Sequence, residues 1–257
     1  MQRHEITQRV RCKSCSTIRL TKRFCRTSFP VRYRQLAAER GVTYLQGIKL
    51  STKFDVKGRF YESNGYKLRK FLDIKRVGVT LDQPDLMVVM MNPGSSYPLD
   101  GIDNNSLPSE AEPDTTQQQI MKVMDAAAYN YARILNLSDL RTPDSSELYR
   151  FLKSEECSSV EHSIFSPNRK SELDQLFING VPVIFGWGVN QALIPLAKQA
   201  IESLCISNPL GILKPNTRYS YYHPLPRIYA KQLEWVQNVT SQFSQTAKAA
   251  AVRSLST

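Results

Sequence analysis

The segment Leu86-Met87-Val88-Val89-Met90-Met91-Asn92-Pro93-Gly94 decides the fold of this chain. Its first six residues form a continuous apolar run, which is typical of a strand covered on both faces, as in a parallel sheet. The run stops at Asn92-Pro93-Gly94, a combination that favours a turn. The segment therefore predicts a buried strand that ends in a polar turn.

Downstream of this strand, apolar segments alternate with segments of helical periodicity. The predicted strands are 132–137, 181–185 and 218–222, and the predicted helices are 120–131, 172–178, 189–204 and 229–245. Asp144 and Glu147 predict a capping box for a further short helix, and Pro195 predicts a helix kink. The alternation predicts an α/β domain over residues 84–247, a three-layer, doubly wound fold with a mainly parallel sheet, followed by a tail at 248–257.

Two other segments interrupt or precede this pattern. Residues 42–83 are predicted to be extended and packed on the core, with a hairpin at Asn64-Gly65, since both residues tolerate positive φ. Residues 95–114 are predicted to form a long polar loop, a kind of segment that is usually functional or disordered.

Charge sets the N-terminal residues apart as a basic extension. The chain carries a net charge of +11, and residues 1–40 hold 11 Lys and Arg against two Glu. Three interpretations of residues 1–41 stay open: a solvated arm, an arm that neutralises DNA phosphates, and an organellar targeting peptide. The extension also holds Cys12, Cys15 and Cys25 with His4 nearby, whose spacing leaves a small zinc site open without making it convincing.

Composition excludes several classes of protein. No apolar run approaches the length of a membrane span, and the charged N-terminus does not hold the apolar core of a secretory signal. We expect a cytoplasmic, monomeric protein that does not contact membranes and needs no cofactor or metal. A disulfide framework is not expected, because the five cysteines are too scattered to form one in a cytosolic protein.

Polar or turn residues follow four of the predicted strands. They are Asn92, Asn136, the turn Gly186-Trp187-Gly188, and His223. Ligands bind at the carboxyl edge of open parallel sheets, so these residues predict one shared site. Hydrolysis of an N-glycosidic bond is a reaction that such a site can perform: His223 would donate to the departing base, and Asn92 would orient the attacking water.

Short segments at these strand ends resemble the uracil-DNA glycosylase superfamily. Met90-Met91-Asn92-Pro93-Gly94 resembles its first catalytic motif in the asparagine variant, and His223-Pro224-Leu225-Pro226-Arg227 is similar to the second motif, His-Pro-Ser-Pro-Arg, of the single-strand-selective branch. Segments 134–137 and 183–188 resemble the two intervening strands. The resemblance covers about residues 84–240 and implies a DNA glycosylase that flips a pyrimidine base out of the helix and leaves an abasic site.

The resemblance also implies a role for each matched residue. Asn92 and His223 would be catalytic, and Asn136 would read the Watson–Crick edge of the base. The other implied base-binding residues are Met91, Gly94, Tyr97 and Trp187, and the implied DNA-binding residues are Leu225, Pro226 and Arg227.

Departures from the family motifs bear on the substrate. Strict uracil enzymes carry Tyr at the position of Gly94, where it blocks substituents at pyrimidine C5. Leu225 replaces the usual Ser, and Met90 replaces a Gly. These changes favour a C5-modified base, such as the hydroxymethylated or glucosylated cytosine of phage DNA, which would make the enzyme antiviral. Plain uracil excision is the alternative.

Other functions remain open on the sequence alone. Taken singly, Asn92 can be only a turn residue, His223 a structural histidine and Trp187 a core residue. The absence of an acidic residue from the first motif leaves open a non-catalytic binder of nucleic acid or nucleotides. Hydrolysis of free nucleosides or nucleotides is a further alternative, for which neither the basic extension nor Arg227 would be needed.

Overall fold

The computed structural model describes residues 53–254, including the side chains of residues 53–245. The strands are β1 Phe54–Ser63, β2 Tyr66–Arg76, β3 Leu86–Met90, β4 Tyr97–Pro98, β5 Ser109–Glu112, β6 Tyr131–Asn136 and β7 Val183–Gly186. The α-helices are α1 Thr115–Ala127, α2 Ser145–Phe151, α3 Lys170–Leu176, α4 Ile194–Leu204 and α5 Tyr229–Ser254. Short 3-10 helices span Glu155–Ser159, Pro167–Arg169 and Gln191–Leu193.

The seven strands form one sheet in the order β4-β5-β1-β2-β6-β3-β7. β3 runs parallel to both β6 and β7, whereas β1, β2, β4 and β5 make antiparallel pairs and β2 also pairs antiparallel with β6. The α/β class is therefore confirmed. The prediction of a mainly parallel sheet is wrong, because the hairpin upstream of β3 extends the same sheet beyond β6.

Strand β3 lies inside the sheet and is covered on both faces, as its apolar run predicts. Met87 and Val89 belong to one buried cluster, with residues of α2, α3 and α4. Leu86 and Val88 belong to the other, with residues of α1 and α5. Since alternate side chains of a strand point to opposite faces, helices cover both faces of the sheet.

The strand predicted at 218–222 is absent from the described residues. Tyr221 makes only isolated bridges, to Gly188 and Leu213. Two carbonyl groups of this segment accept hydrogen bonds from indole side chains and not from a neighbouring strand. Trp187 Nε1 donates to Tyr219 O at 2.8 Å, and Trp235 Nε1 donates to Tyr222 O at 3.0 Å. This segment still leads the chain to His223, beside the end of β7.

The β1–β2 hairpin forms at Asn64-Gly65, as predicted, with φ angles of 50° and 78°. Its register shifts once: Arg59 faces Phe71 while Phe60 faces Arg69, so Lys70 is an extra residue in β2. Such a bulge changes the face to which the following side chains point. Its effect here is to place Arg69 on the face of the sheet that carries Leu72 and Ile74.

Two local predictions are wrong in detail. Pro195 lies in the first turn of α4, where its missing N–H costs no helical hydrogen bond, so it starts the helix instead of kinking it. Asp144 does cap α2, but Glu147 accepts from the Thr142 hydroxyl and no capping box forms there. The segment predicted as a polar loop, 95–114, contains the short strands β4 and β5.

Candidate active site

A cavity of about 410 Å³ opens at the carboxyl ends of β3, β6 and β7. This is where a parallel arrangement of strands presents its ligand-binding edge. Of the residues proposed from the sequence, seven line it: Met91, Asn92, Gly94, Asn136, Trp187, His223 and Leu225. The fold therefore brings both motif residues, Asn92 and His223, to one cavity.

Asn92 is held by its amide nitrogen. Nδ2 donates to Thr142 O at 2.8 Å and to Leu140 O at 3.2 Å, which uses both of its hydrogens. Oδ1 has no partner among the described residues and is left as an acceptor at the cavity. An amide fixed in this way presents only a carbonyl oxygen to a ligand or a water molecule.

His223 is neutral and has a defined tautomer. Leu225 N donates to His223 Nδ1 at 3.2 Å, so the ring proton lies on Nε2. Burial lowers the pKa of His223 to about 4, against the opposing effect of the Asp114 carboxylate. The neutral ring therefore offers one hydrogen-bond donor, Nε2–H, to an occupant of the cavity.

Asn136 ends β6 and is fully buried in the cavity wall. Neither Nδ2 nor Oδ1 of its amide has a partner within the described part of the chain. Leaving a buried donor and a buried acceptor unpaired costs about 1–3 kcal/mol for each group. A ligand whose edge offers one donor and one acceptor would remove that cost.

Trp187 and Met91 contribute mainly packing. The Trp187 indole is fully buried, and its ring stacks near Phe185 and Tyr221, with ring centroids 4.6 Å and 5.2 Å away. Met91 Sδ accepts from the Tyr149 hydroxyl at 3.5 Å. Both side chains lie in the apolar part of the cavity wall.

Gly94 adopts φ +66°, a left-handed conformation that side chains disfavour. A Cβ at this position would lie 2.7 Å from Asp114 Oδ2. Asp114 caps α1, and its Oδ1 accepts from Thr116 N at 2.8 Å and from Gln117 N at 3.0 Å. The space that a side chain at Gly94 would fill is therefore bounded by a fixed carboxylate whose Oδ2 has no partner in the described residues.

Arg69 brings a buried cation to the same wall of the cavity. Its side chain is 1% exposed, its Nε has no partner, and its single hydrogen bond in the described chain runs from Nη1 to Pro93 O at 3.4 Å. Burial lowers the pKa of Arg69 to about 10, although Asp114 and Asp139 act in the opposite direction. The guanidinium group thus lies next to the Pro93-Gly94 peptide with most of its donors unused.

Three residues proposed from the sequence lie elsewhere. Tyr97 belongs to β4, is 49% exposed and does not line the cavity. Pro226 lines a neighbouring cavity, which shares Gly188 and His223 with the first. Arg227 follows on the exposed surface. Leu225, by contrast, lies at the cavity itself.

Neither Arg69 nor Asp114 was proposed from the sequence. The sequence around Asp114 does hold a usable pattern. Asp114 and Gln117, just before the helical run, match a capping box, and this capping box forms at the start of α1. No sequence pattern predicts that Arg69 lies at the cavity, because its direction depends on the bulge at Lys70.

The described part of the chain shows neither a cluster of metal ligands nor a membrane-spanning helix. Within residues 53–254 no group of three or more His, Cys, Asp or Glu side chains is placed to hold a metal ion. No described helix has the length and apolar character needed to cross a membrane. The basic extension, with Cys12, Cys15, Cys25 and His4, lies outside the described residues.

A family model for a protein of unknown function, DUF1643, matches residues 74–225. This chain belongs to the DUF1643 family. The match spans more than half of the chain and includes Asn92, Asp114, Asn136 and His223. In this DUF1643 chain Arg69 lies just before the matched segment. No curated protein and no solved structure matches the chain.

Proposed function

We propose that this protein is a monofunctional DNA glycosylase that hydrolyses the N-glycosidic bond of a flipped pyrimidine base and leaves an abasic site. The observation that carries the proposal is the pairing, in one cavity, of an acceptor at Asn92 with a neutral donor at His223. The two groups match the two needs of the reaction, which are a held water and a stabilised leaving base.

The water step would use Asn92. Because Nδ2 is bound to two carbonyl groups, Oδ1 accepts a hydrogen bond from the water and aims its oxygen at the anomeric carbon. The bond from the water oxygen to C1′ forms as the bond from C1′ to the base nitrogen breaks. The base departs with that electron pair, and the proton lost by the water leaves with solvent or with the base.

The leaving-group step would use His223. A pyrimidine that departs as an anion carries charge on its carbonyl oxygen, and a neutral, fixed Nε2–H donor stabilises that charge without reorganisation. A single donor of this type typically contributes about 10²–10³-fold to the rate. Because this pKa lies well below neutral pH, the ring is uncharged at pH 7, and it acts by donating a hydrogen bond and not by transferring a proton as an imidazolium acid.

Recognition of the base would use Asn136. Its amide offers one donor and one acceptor, both unpartnered, which complements the Watson–Crick edge of either uracil or cytosine. Leu225 lies at the cavity and Arg227 is exposed just beyond it, so we expect this loop to contact the duplex around a flipped nucleotide. These contacts favour DNA as the partner over a free nucleotide.

A C5-modified base remains our preferred substrate, with uracil as the alternative. The wall beside Gly94 is a carboxylate, which repels other acceptors and accepts from donors. A modified base with a polar C5 substituent therefore suits this wall better than the bare ring or a methyl group does.

Base release tests the proposal. Oligonucleotides carrying uracil, hydroxymethyluracil, hydroxymethylcytosine or its glucosylated form are incubated with the protein, and abasic sites are cleaved with alkali. We expect strand breakage with at least one of them, and a loss of about 10²-fold or more in Asn92→Ala and His223→Ala. Asn168→Ala, an exposed amide outside the cavity, serves as the control. Binding of DNA without release of any base would instead establish a non-catalytic binder.

A further inference from the structure

The wall of the cavity beside Gly94 carries two opposite charges that do not meet. Asp114 Oδ2 lies where a Gly94 side chain would begin, and Arg69 Nη1 lies 3.4 Å from Pro93 O. The Asp114 carboxylate acts on Arg69, since it opposes the burial that lowers the pKa of the guanidinium. Yet no hydrogen bond or ion pair joins them within the described residues. The gap between them opens on the cavity that both side chains line.

Neither group has satisfied its hydrogen-bonding capacity. The Arg69 guanidinium is 1% exposed with Nε unpartnered, and a buried cation in that state costs free energy that a bound ligand can recover. Asp114 is held in place because Oδ1 is taken by two backbone N–H groups of α1. The carboxylate therefore cannot swing over to the guanidinium without uncapping the helix.

We propose that Arg69 and Asp114 form a two-point subsite beside Gly94 that binds a neutral, hydroxyl-bearing substituent of the base. The hydroxyl donates to Asp114 Oδ2 and accepts from Arg69. This inference rests on the proposed function, because it takes the occupant of the cavity to be a flipped base.

The pairing of charges determines which substituents fit. A hydroxyl satisfies both groups, because it is both a donor and an acceptor. A methyl group satisfies neither, and it would leave the buried Arg69 guanidinium and the Asp114 carboxylate without a partner. A carboxylate suits Arg69 but is repelled by Asp114, and an aminomethyl cation suits Asp114 but is repelled by Arg69.

Substitutions at the two positions should therefore shift the preference in opposite directions. In Asp114→Asn the helix cap is kept, since Asn caps as well as Asp, while the negative charge is lost. This variant should gain on carboxyl-substituted DNA. In Arg69→Met the positive charge is lost, and the variant should gain on aminomethyl-substituted DNA.

The test uses the full chain with four oligonucleotides whose single deoxyuridine carries hydroxymethyl, methyl, carboxyl or aminomethyl at C5. Base release is measured on each, and affinity is measured on matched oligonucleotides whose 2′-fluorinated sugar resists cleavage. The wild type should release and bind the hydroxymethyl base better than the methyl base by roughly tenfold or more. Crossed shifts are expected in the variants: Asp114→Asn should gain on the carboxyl base, and Arg69→Met should gain on the aminomethyl base.

Matched controls separate a subsite from general damage. Asp144→Asn alters a helix-capping aspartate that does not line the cavity, and Arg59→Met alters an arginine that also has a buried, unpartnered Nε outside it. Both controls should keep the wild-type ranking of substituents. Crossed shifts in the two subsite variants, against unchanged rankings in these controls, would support the subsite.

The possible failures are distinguishable. Release of all four bases at similar rates, with rankings unchanged in both subsite variants, would overturn the subsite while the glycosylase stands. A second outcome is that no base is released, while the wild type still binds hydroxymethyl DNA best, Asp114→Asn gains affinity for carboxyl DNA and Arg69→Met gains affinity for aminomethyl DNA. This outcome would overturn the glycosylase and support the subsite. If no base is released and the affinity is the same for all four substituents, both the glycosylase and the subsite would be overturned.

Discussion

Asn92 Nδ2 donates to the carbonyl of Thr142 at 2.8 Å, which links the turn after β3 to the segment that leads into α2. Together with the bond to Leu140 O at 3.2 Å, this contact fixes which atom of the amide reaches the cavity. An asparagine at this position is therefore required by its surroundings, because two carbonyl groups need a donor there.

Replacing Asn92 by aspartate tests this relationship. A carboxylate would face the Leu140 and Thr142 carbonyl oxygens with no hydrogen to donate, so we expect Asn92→Asp to lose about 1–3 kcal/mol of unfolding free energy. Activity should fall as well, because the side chain would lose the two hydrogen bonds that fix the Asn92 amide and the oxygen that faces the cavity. Urea unfolding and base release measure the two effects. A variant that keeps its stability and gains activity would contradict this account of the site.

Replacing Gly94 by alanine tests the close approach of Asp114. Alanine at φ +66° with Oδ2 2.7 Å from its Cβ must both strain the backbone and displace the carboxylate. Gly101 is a matched control, since it has φ +71° and nothing within 4 Å of the added Cβ. Both variants should lose about 1 kcal/mol from the backbone, and Gly94→Ala should lose more and also lose base release. Equal losses in thermal or urea unfolding would argue against the contact.

The sequence predicts those parts of the fold that depend on local pattern. The buried strand β3 follows from six consecutive apolar residues, and the β1–β2 hairpin follows from Asn64-Gly65. The strand predicted at 218–222 does not form, because alternating tyrosines imitate a strand while the carbonyl groups of Tyr219 and Tyr222 accept from the indoles of Trp187 and Trp235. Those two hydrogen bonds join residues far apart in the chain, so no local pattern reveals them.

The same limit applies to the candidate site. Asn92 and Asn136 were predictable because each lies at the end of an apolar strand, whereas His223 was placed from a strand at 218–222 that does not form. Arg69 was not, since its direction depends on the one-residue bulge at Lys70 and on the path of the chain after β3. The family resemblance implies a base-binding role for Tyr97, but this residue belongs to the short strand β4 and does not line the cavity.

Removing the buried charge of Arg69 should stabilise the protein in the absence of a ligand. Burial lowers the pKa of this guanidinium to about 10, which corresponds to a cost of a few kcal/mol for holding the charge at neutral pH. We expect Arg69→Met to raise the unfolding free energy by about 1–3 kcal/mol, and to weaken binding of substrate DNA. Urea unfolding and DNA affinity measured on the same variant check the two directions. A variant that is destabilised would show that Arg69 supports the fold instead of a ligand.

The neutral state of His223 predicts how stability depends on pH. Its pKa is about 4 in the folded chain and near its ordinary value of 6.5 in the unfolded chain, so the unfolded state binds the proton first. Stability from this residue is fully present above pH 6.5 and is lost as pH falls through 4, by up to about 3 kcal/mol. His162 shifts in the same direction, because burial also lowers its pKa. Urea unfolding of the wild type and of His223→Gln from pH 7 to 4 separates the two histidines. The variant should lose less stability on acidification, and parallel curves would show that the pKa of His223 is not lowered in the folded protein.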